Sequence, residues 1–360
     1  MDTAGRVVRL REALTDCDAL LVTTLNNIRY LTGFTGSAAL LLVLPDELVF
    51  TTDGRYRDQA AEQLRTAGVE ARIEVGMPKV QQERISASAH GIGRVGLEAA
   101  NVTWARQRAM AAEWFPDAEL VATEGAVEAL RQVKDAGEIA RMEAAAAIAD
   151  EALAQAKPLL LDGPTERDFA IELDFRMRRL GAGGPSFETI VASGPNGAKP
   201  HARPGDRRIA PGELVVLDFG AVVDGYCSDM TRTVCVGEMS DPVARRMYDV
   251  VIASQAAGAE AVAPGVESAA VDRTCRDVIA EAGWADAFLH STGHGVGLDI
   301  HEAPWVASTA GGTLSAGNVV TVEPGVYLPD HGGVRIEDTL VVTDDGRRPL
   351  TRSPKDLIVQ

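Results

Sequence analysis

The sequence predicts a mixed α/β (α+β) protein in two domains, and three observations carry that expectation. At 360 residues the chain exceeds the size at which a single core usually stops growing. Its first third alternates apolar, strand-like runs with amphipathic stretches. Near residue 130 that rhythm gives way to a long Ala-rich stretch, after which helix pairs and groups of strands follow one another. The expected division is 1–130 and 131–360.

Taken in order, Ala19 to Thr24, Ala38 to Leu44 and Glu47 to Asp53 read as strands, and Tyr56 to Ala67 as a helix. Val69 to Val75 and Val95 to Glu98 continue the strands, with helical pieces around Gln81 to Ala87 and Thr103 to Trp114. Beyond the boundary a long helix is expected from Asp135 to Gln155, then, across Asp162-Gly163-Pro164-Thr165, a second helix to Leu180. Strands follow at Thr189 to Ser193, Leu214 to Ala221 and Asp224 to Val236. Another helix pair, Pro242 to Ala263 and Glu267 to Ala282, leads into further strands. The element order suggests two helix-pair-plus-strand units related by a pseudo-twofold, although the residues themselves do not repeat.

Composition removes several function classes. A formal net charge of −17 leaves no basic surface to spare for a phosphate backbone, so nucleic acid is not an expected partner. No window reaches ~18 consecutive apolar residues, which argues against a membrane span. The N-terminus lacks a signal-peptide profile, and a cytoplasmic location is expected. Cys17, Cys227, Cys235 and Cys275 are scattered without a Cys-x-x-Cys pair and read as reduced, structural thiols.

The chemistry is concentrated in the last half. Asp218 ends the apolar run Leu214 to Phe219, and Asp229 lies in Cys227-Ser228-Asp229-Met230-Thr231-Arg232-Thr233. An ionised carboxylate in an apolar run is costly unless it is paired or metal-bound, and two on adjacent strands can meet across a hairpin turned at Val223-Asp224-Gly225. Asp218 alone reads equally as an edge or ion-paired acid and as a ligand. Downstream, His290-Ser291-Thr292-Gly293-His294-Gly295-Val296-Gly297 and His301-Glu302-Ala303-Pro304 gather imidazoles among glycines, which permit close backbone approach. Glu323, in Val322-Glu323-Pro324-Gly325, and Glu337, in Arg335-Ile336-Glu337-Asp338, add two more acids to strand-like runs. Asp218, Asp229, Glu323 and Glu337 with the His294 nitrogen would balance two divalent cations. Such ligation favours Mn²⁺, Co²⁺ or Zn²⁺, and ions ~3.5–4 Å apart support hydrolysis.

These motifs, in this order, resemble the pita-bread metallopeptidases, the group containing aminopeptidase P, prolidase, methionine aminopeptidase and the metal-free creatinase. The N-terminal part is similar to the small creatinase-like domain of aminopeptidase P and prolidase, through Asn27-Ile28-Arg29-Tyr30-Leu31-Thr32-Gly33-Phe34 and Thr52-Asp53-Gly54-Arg55-Tyr56. The resemblance implies a creatinase-like domain followed by a pita-bread catalytic domain, two metal ions, most readily Mn²⁺, and a homodimer. It also implies that Asp229 and Glu337 bridge the metals, that Asp218 binds one, and that His294 with Glu323 binds the other. Glu323 would additionally shuttle protons, while His201, His290, His301 and Arg335 would orient substrate and stabilise the developing oxyanion, in keeping with imidazoles aimed at forming charge.

Other signals are set aside. Gly91-Ile92-Gly93-Arg94-Val95-Gly96 fits a dinucleotide-loop pattern but precedes a strand, so it reads as a turn. His301-Glu302 lacks the second histidine of the zinc-protease helix motif, because position 305 is Trp305. His90 reads as a surface residue, and His331 beside Pro329 as a turn residue or a substrate contact. The expected activity is removal of the residue preceding proline at a peptide N-terminus, of the Xaa-Pro aminopeptidase type. Trp305 supplies the tilt: many prolidases carry an arginine directly after His-Glu-x-Pro, and the indole here offers a proline-containing peptide an apolar wall instead. Alternatives are an Xaa-Pro dipeptidase, a creatinase-like metal-free hydrolase, and a non-catalytic pita-bread scaffold, the last two disfavoured by the complete ligand set.

Overall fold

The computed structural model describes residues 3–360, which form two compact units divided between Arg131 and Gln132. The first is built on a mixed sheet of β1 (Ala19–Val22), β2 (Ala39–Val43), β3 (Leu48–Thr52), β4 (Arg72–Val75), β5 (Arg94–Glu98) and β6 (Glu119–Thr123), in the order β4-β3-β2-β1-β5-β6. Strands β1, β2 and β3 pair antiparallel, whereas β3/β4, β1/β5 and β5/β6 are parallel. Parallel neighbours need crossovers, and helices supply them. In chain order the helices are α1 (Thr3–Ala13), α2 (Leu25–Thr32), α3 (Arg57–Thr66), α4 (Pro78–Ser88), α5 (Trp104–Ala109) and α6 (Ala126–Arg131). Leu21, Leu42, Val49, Ile85, Val95, Leu97 and Met110 form the core between sheet and helices. Four elements were not expected from sequence: the helices α1, α2 and α6 and the edge strand β6, which has no fully buried residue. The expected helix Thr103 to Trp114 is α-helical only to Ala109 and continues as a π-turn over Met110–Trp114.

The second unit opens with α7 (Ala136–Ala156). Its start is fixed by a reciprocal cap, in which Asp135 accepts from the Glu138 N–H at 2.9 Å and Glu138 accepts from the Asp135 N–H at 3.0 Å. Next come α8 (Glu166–Arg179), β7 (Gly184–Pro185), β8 (Ile190–Ser193), β9 (Leu214–Phe219), β10 (Ala221–Val223), β11 (Tyr226–Cys227) and β12 (Met230–Val236). The second helix pair, α9 (Pro242–Ala261) and α10 (Ser268–Glu281), precedes β13 (Gly293–Gly295), β14 (Glu302–Val306), β15 (Val319–Val322), β16 (Gly325–Leu328), β17 (Gly332–Arg335), β18 (Asp338–Thr343), β19 (Gly346–Pro349) and β20 (Ile358–Val359). A helix pair followed by strands thus occurs twice, as the element order suggested. The sheets run β20-β12-β9-β8 and β14-β13-β15-β18-β19, with smaller ones of β11-β10-β7 and β16-β17.

Each helix pair covers its own core. Phe169 and Leu173 of α8 pack with Leu217 and Phe219 of β9, while Val251 of α9 and Ile279 of α10 pack with Val320 and Val322 of β15. Helices α9 and α10 approach so closely at Gly258 that a Cβ there would lie 2.2 Å from Cys275 Sγ.

One expected strand is corrected. Asp224 to Val236 is not continuous: Asp224 (φ 45°) and Gly225 (φ 75°) form the left-handed turn joining β10 to β11, and Ser228-Asp229 lies outside either strand. The interruption has a local cause. The Ser228 hydroxyl accepts from the Ala221 N–H at 2.9 Å, and the chain passes so near Gly220 that a Cβ would meet Ser228 O at 1.9 Å.

Candidate metal centre and active-site cavity

Strand register brings the acids together. On antiparallel β9 and β12, Asp218 faces Thr231, with Asp229 one residue before β12 begins. Glu337 lies between β17 and β18 and is tied to β12 through its N–H, which donates to Thr231 O at 3.1 Å. Glu323 follows β15 directly, its N–H donating to Thr292 O at 2.7 Å. His294, the central residue of β13, has its backbone N–H held by Thr321 Oγ1 at 3.0 Å. Gly293 is needed here, since a Cβ would come within 2.0 Å of Thr321 O.

The side chains converge on one point. Oxygen or nitrogen atoms of Asp229, His294 and Glu337 lie within 4.8 Å of one another, and all three residues are buried. His294 Nδ1 lies 3.0 Å from Gly295 O, an acceptor, so that nitrogen carries the proton. Its Nε2 then presents a lone pair to Glu323 Oε1 at 3.3 Å and Asp229 Oδ2 at 3.6 Å. That contact is repulsive unless a proton or a cation sits among the three groups. Asp218 Oδ1 and Glu337 Oε1 are buried without a hydrogen-bond partner, although each carboxylate's other oxygen is satisfied, by Arg335 Nη2 at 2.5 Å and Thr231 Oγ1 at 2.7 Å respectively. Orphaned carboxylate oxygens around a bare imidazole nitrogen are what a divalent cation would satisfy. The residues therefore fit the metal that the sequence suggested.

The electrostatics agree. Burial, then the Glu337 and Asp218 charges, push Asp229 well above the usual carboxylate range; burial, then Glu323 and Asp218, do the same to Glu337. Burial also raises Asp218, against the pull of Arg335. Burial works against ionisation of Glu323 as well, but its hydrogen bond with His294 wins and brings it to about 2. For His294 burial favours the neutral ring, and Glu323 outweighs it, raising the value. A cluster that can ionise fully only with a compensating positive charge is a poor structural element and a suitable cation site.

The remaining predicted residues surround the same space. His201, His290, His301 and Arg335 line, with the acids and His294, one cavity of about 520 Å³. The His301 ring packs edge-on to His294, with centroids 4.3 Å apart, and burial followed by His294 holds its value below the ordinary imidazole range. Trp305, 51% exposed, forms part of the wall with its ring 6.3 Å from His294. His331 is not part of the cavity lining; its Nδ1 lies 2.7 Å from Asp241 Oδ2, at the start of α9.

Sequence reasoning missed Tyr327. Its hydroxyl accepts from Arg335 Nη1 at 2.9 Å and lies 2.8 Å from His290 Nε2. His290 Nδ1 faces Ser291 O at 2.8 Å and so holds the ring proton, which leaves Nε2 to accept from Tyr327. The result is a directional chain from Arg335 through Tyr327 to His290, with Arg335 also holding Asp218. A lone tyrosine in a strand-like Gly-Val-Tyr-Leu run carries no mark of this in sequence.

Known proteins place the chain. Residues 140–344 match the profile of Metallopeptidase family M24 and residues 6–133 that of the Creatinase/Prolidase N-terminal domain. The chain is 44% identical over 342 residues to the uncharacterized peptidase YqhT of Bacillus subtilis (strain 168), spanning 95% of this chain and 96% of that protein. It aligns with the solved structure of an Xaa-Pro dipeptidase from Bacillus anthracis at a TM-score of 0.93 and 39% identity, covering 99% of both chains. With an X-Pro aminopeptidase from Thermotoga maritima MSB8 the TM-score is 0.88 at 32% identity, covering 97% of this chain and 99% of that one. Together with the carboxylate-rich centre, these matches make the chain a member of metallopeptidase family M24, a metal-dependent peptidase with a creatinase/prolidase-type N-terminal domain.

Proposed function

We propose that the protein is an Xaa-Pro dipeptidase, hydrolysing the bond that precedes proline in a dipeptide, with Asp218, Asp229, His294, Glu323 and Glu337 holding two divalent cations, Mn²⁺ ahead of Co²⁺ or Zn²⁺. The observation that carries the reading is the convergence of these side chains, two with orphaned oxygens, on one cavity. Similarity favours the dipeptidase over the aminopeptidase reading suggested by Trp305, because the Bacillus anthracis dipeptidase is closer in both identity and TM-score than the Thermotoga maritima aminopeptidase. A half-exposed indole at the wall suits a proline ring in a dipeptide as well as in a longer peptide, so it does not oppose this.

Bound cations would supply Lewis-acid polarisation of the scissile carbonyl and a hydroxide at neutral pH. The chain's own groups do the rest. Glu323, ionised and anchored by Thr321 Oγ1 at 3.2 Å, is placed to accept a proton from water and return it to the leaving nitrogen. His301, whose ring is neutral at neutral pH, offers an N–H to the carbonyl oxygen as charge grows there. His290 is held in one tautomer by Ser291 and Tyr327 and forms a fixed, uncharged wall. His201, exposed on the loop after Lys199-Pro200, contacts substrate from the cavity mouth.

The test is turnover of an Xaa-Pro dipeptide beside its C-terminally extended tripeptide by Mn²⁺-reconstituted enzyme. A dipeptide preference of about tenfold or more in kcat/KM is expected. An equal or greater rate on the tripeptide would return the protein to the aminopeptidase type.

A further inference from the structure

A dipeptide differs from a longer peptide in the free carboxylate on its proline, two bonds from the scissile nitrogen. Drawing that charge out of water into the cavity is costly unless a cation meets it. Two arginines line the cavity, Arg335 and Arg203. Arg335 is buried and committed: Nη2 donates to Asp218, Nη1 to Tyr327 at 2.9 Å and to Pro200 O at 3.3 Å, and Nε to Thr231 Oγ1 at 3.2 Å. Four of its five N–H donors are spent on the site itself.

Arg203 is the opposite case. It lies two residues beyond His201, and its side chain is 83% exposed. Its ion-pair partner is Glu188, at 3.6 Å and itself 67% exposed, which also lines the cavity. A long, exposed pair of this kind contributes little and exchanges readily for a better anion. A guanidinium fork matches a carboxylate in a way that the surrounding imidazoles do not.

We propose that Arg203 is the specificity-determining residue of this enzyme, leaving Glu188 to pair with the free carboxylate of a dipeptide substrate. The inference rests on the dipeptidase reading above and deepens it. Arg203 would take the part that an arginine after His-Glu-Ala-Pro would otherwise play, where this chain has Trp305. Glu188 is then a gate of charge: it parks the guanidinium when the cavity is free of substrate and competes with the substrate carboxylate for it.

The experiment uses the full-length, Mn²⁺-loaded enzyme and two probes, alanyl-proline and alanyl-prolinamide, which differ only in that carboxylate. The quantity read is the acid-over-amide preference in kcat/KM, resolved into kcat and KM, for wild type, Arg203→Met, Arg203→Lys and Glu188→Gln. Arg203→Met is expected to cut the preference about tenfold, mainly through KM, and Arg203→Lys to keep part of it. Glu188→Gln is expected to raise it. A preference in Arg203→Met within about twofold of wild type would overturn the assignment, as would an equal fall in Arg203→Lys and Arg203→Met with no change in Glu188→Gln. Wild-type enzyme without any preference for the acid would be a different result, since it removes the dipeptidase reading itself.

Discussion

Among single residues, the order of the site depends as much on uncharged groups as on ligands. The Tyr327 hydroxyl joins Arg335 to His290, burial driving its own value up to about 12, so it remains a neutral donor and acceptor at any working pH. Removing it leaves one Arg335 donor without this partner and frees the His290 ring to turn about its remaining bond to Ser291 O. The phenol hydroxyl hydrogen-bonds to Arg335 and His290 rather than to a side chain proposed to hold metal. Tyr327→Phe is therefore expected to lower kcat by about tenfold while bound metal per chain, measured by elemental analysis, stays at the wild-type level. Parallel loss of metal and activity would mean that the hydroxyl acts through Asp218 and the ligand set instead.

Helix α9 shows the same economy at the scale of an element. Asp241 caps it, accepting from the Val243 and Ala244 N–H groups at 2.8 and 3.3 Å, and His331 meets its other oxygen. The His331 hydrogen bond, against a small burial effect and with help from the two N–H groups, holds the Asp241 carboxyl below its ordinary value. A carboxyl depressed in the folded state stabilises above its unfolded value of ~3.9 and loses that contribution as pH falls through the folded value. Asp241→Ala should cost about 1 kcal/mol at pH 7 in urea unfolding. Asp241→Asn keeps the cap, so its deficit relative to wild type should shrink as the pH falls below the ordinary carboxylate range and through the lowered folded-state value; a deficit that does not change on acidification would show that the Asp241 carboxylate charge is not its source.

The elements that sequence made legible are those whose pattern has one physical cause. Asp218 and Glu337 stand out because acids in apolar runs require a reason, and α7 because alanines between capping and breaking residues have one reading. Ser228-Asp229 was misread as mid-strand, since the close approach of Gly220 to Ser228 O is a tertiary fact. Strand β6 escaped because its half-exposed alternation is weak. Tyr327, Arg203 and the His331–Asp241 pair were not legible, because nothing local distinguishes them from a core tyrosine, a loop cation or a turn histidine.

Across the whole molecule, the formal charge of −17 is not spread evenly in its consequences. Four of the acids are driven into one buried cluster, where they repel one another, and they come from segments as distant as β9 and the link between β17 and β18. A cation that binds only the folded cluster must stabilise those segments jointly, because no single strand carries the site. The gain follows mass action, about 2.7 kcal/mol at a free concentration 100 times Kd. It should also be local. On adding Mn²⁺ to chelator-treated protein, amide hydrogen exchange is expected to slow in β9, β12, β13, β15 and the β17–β18 link. The strands β1 to β6 of the first unit, which carry no ligand, should exchange at unchanged rates. Slowing confined to β1–β6, or no slowing anywhere at saturating Mn²⁺, would mean that these five side chains do not hold the metal. Slowing at the ligand segments with unchanged activity would instead separate metal binding from turnover and direct attention to His301 and Glu323.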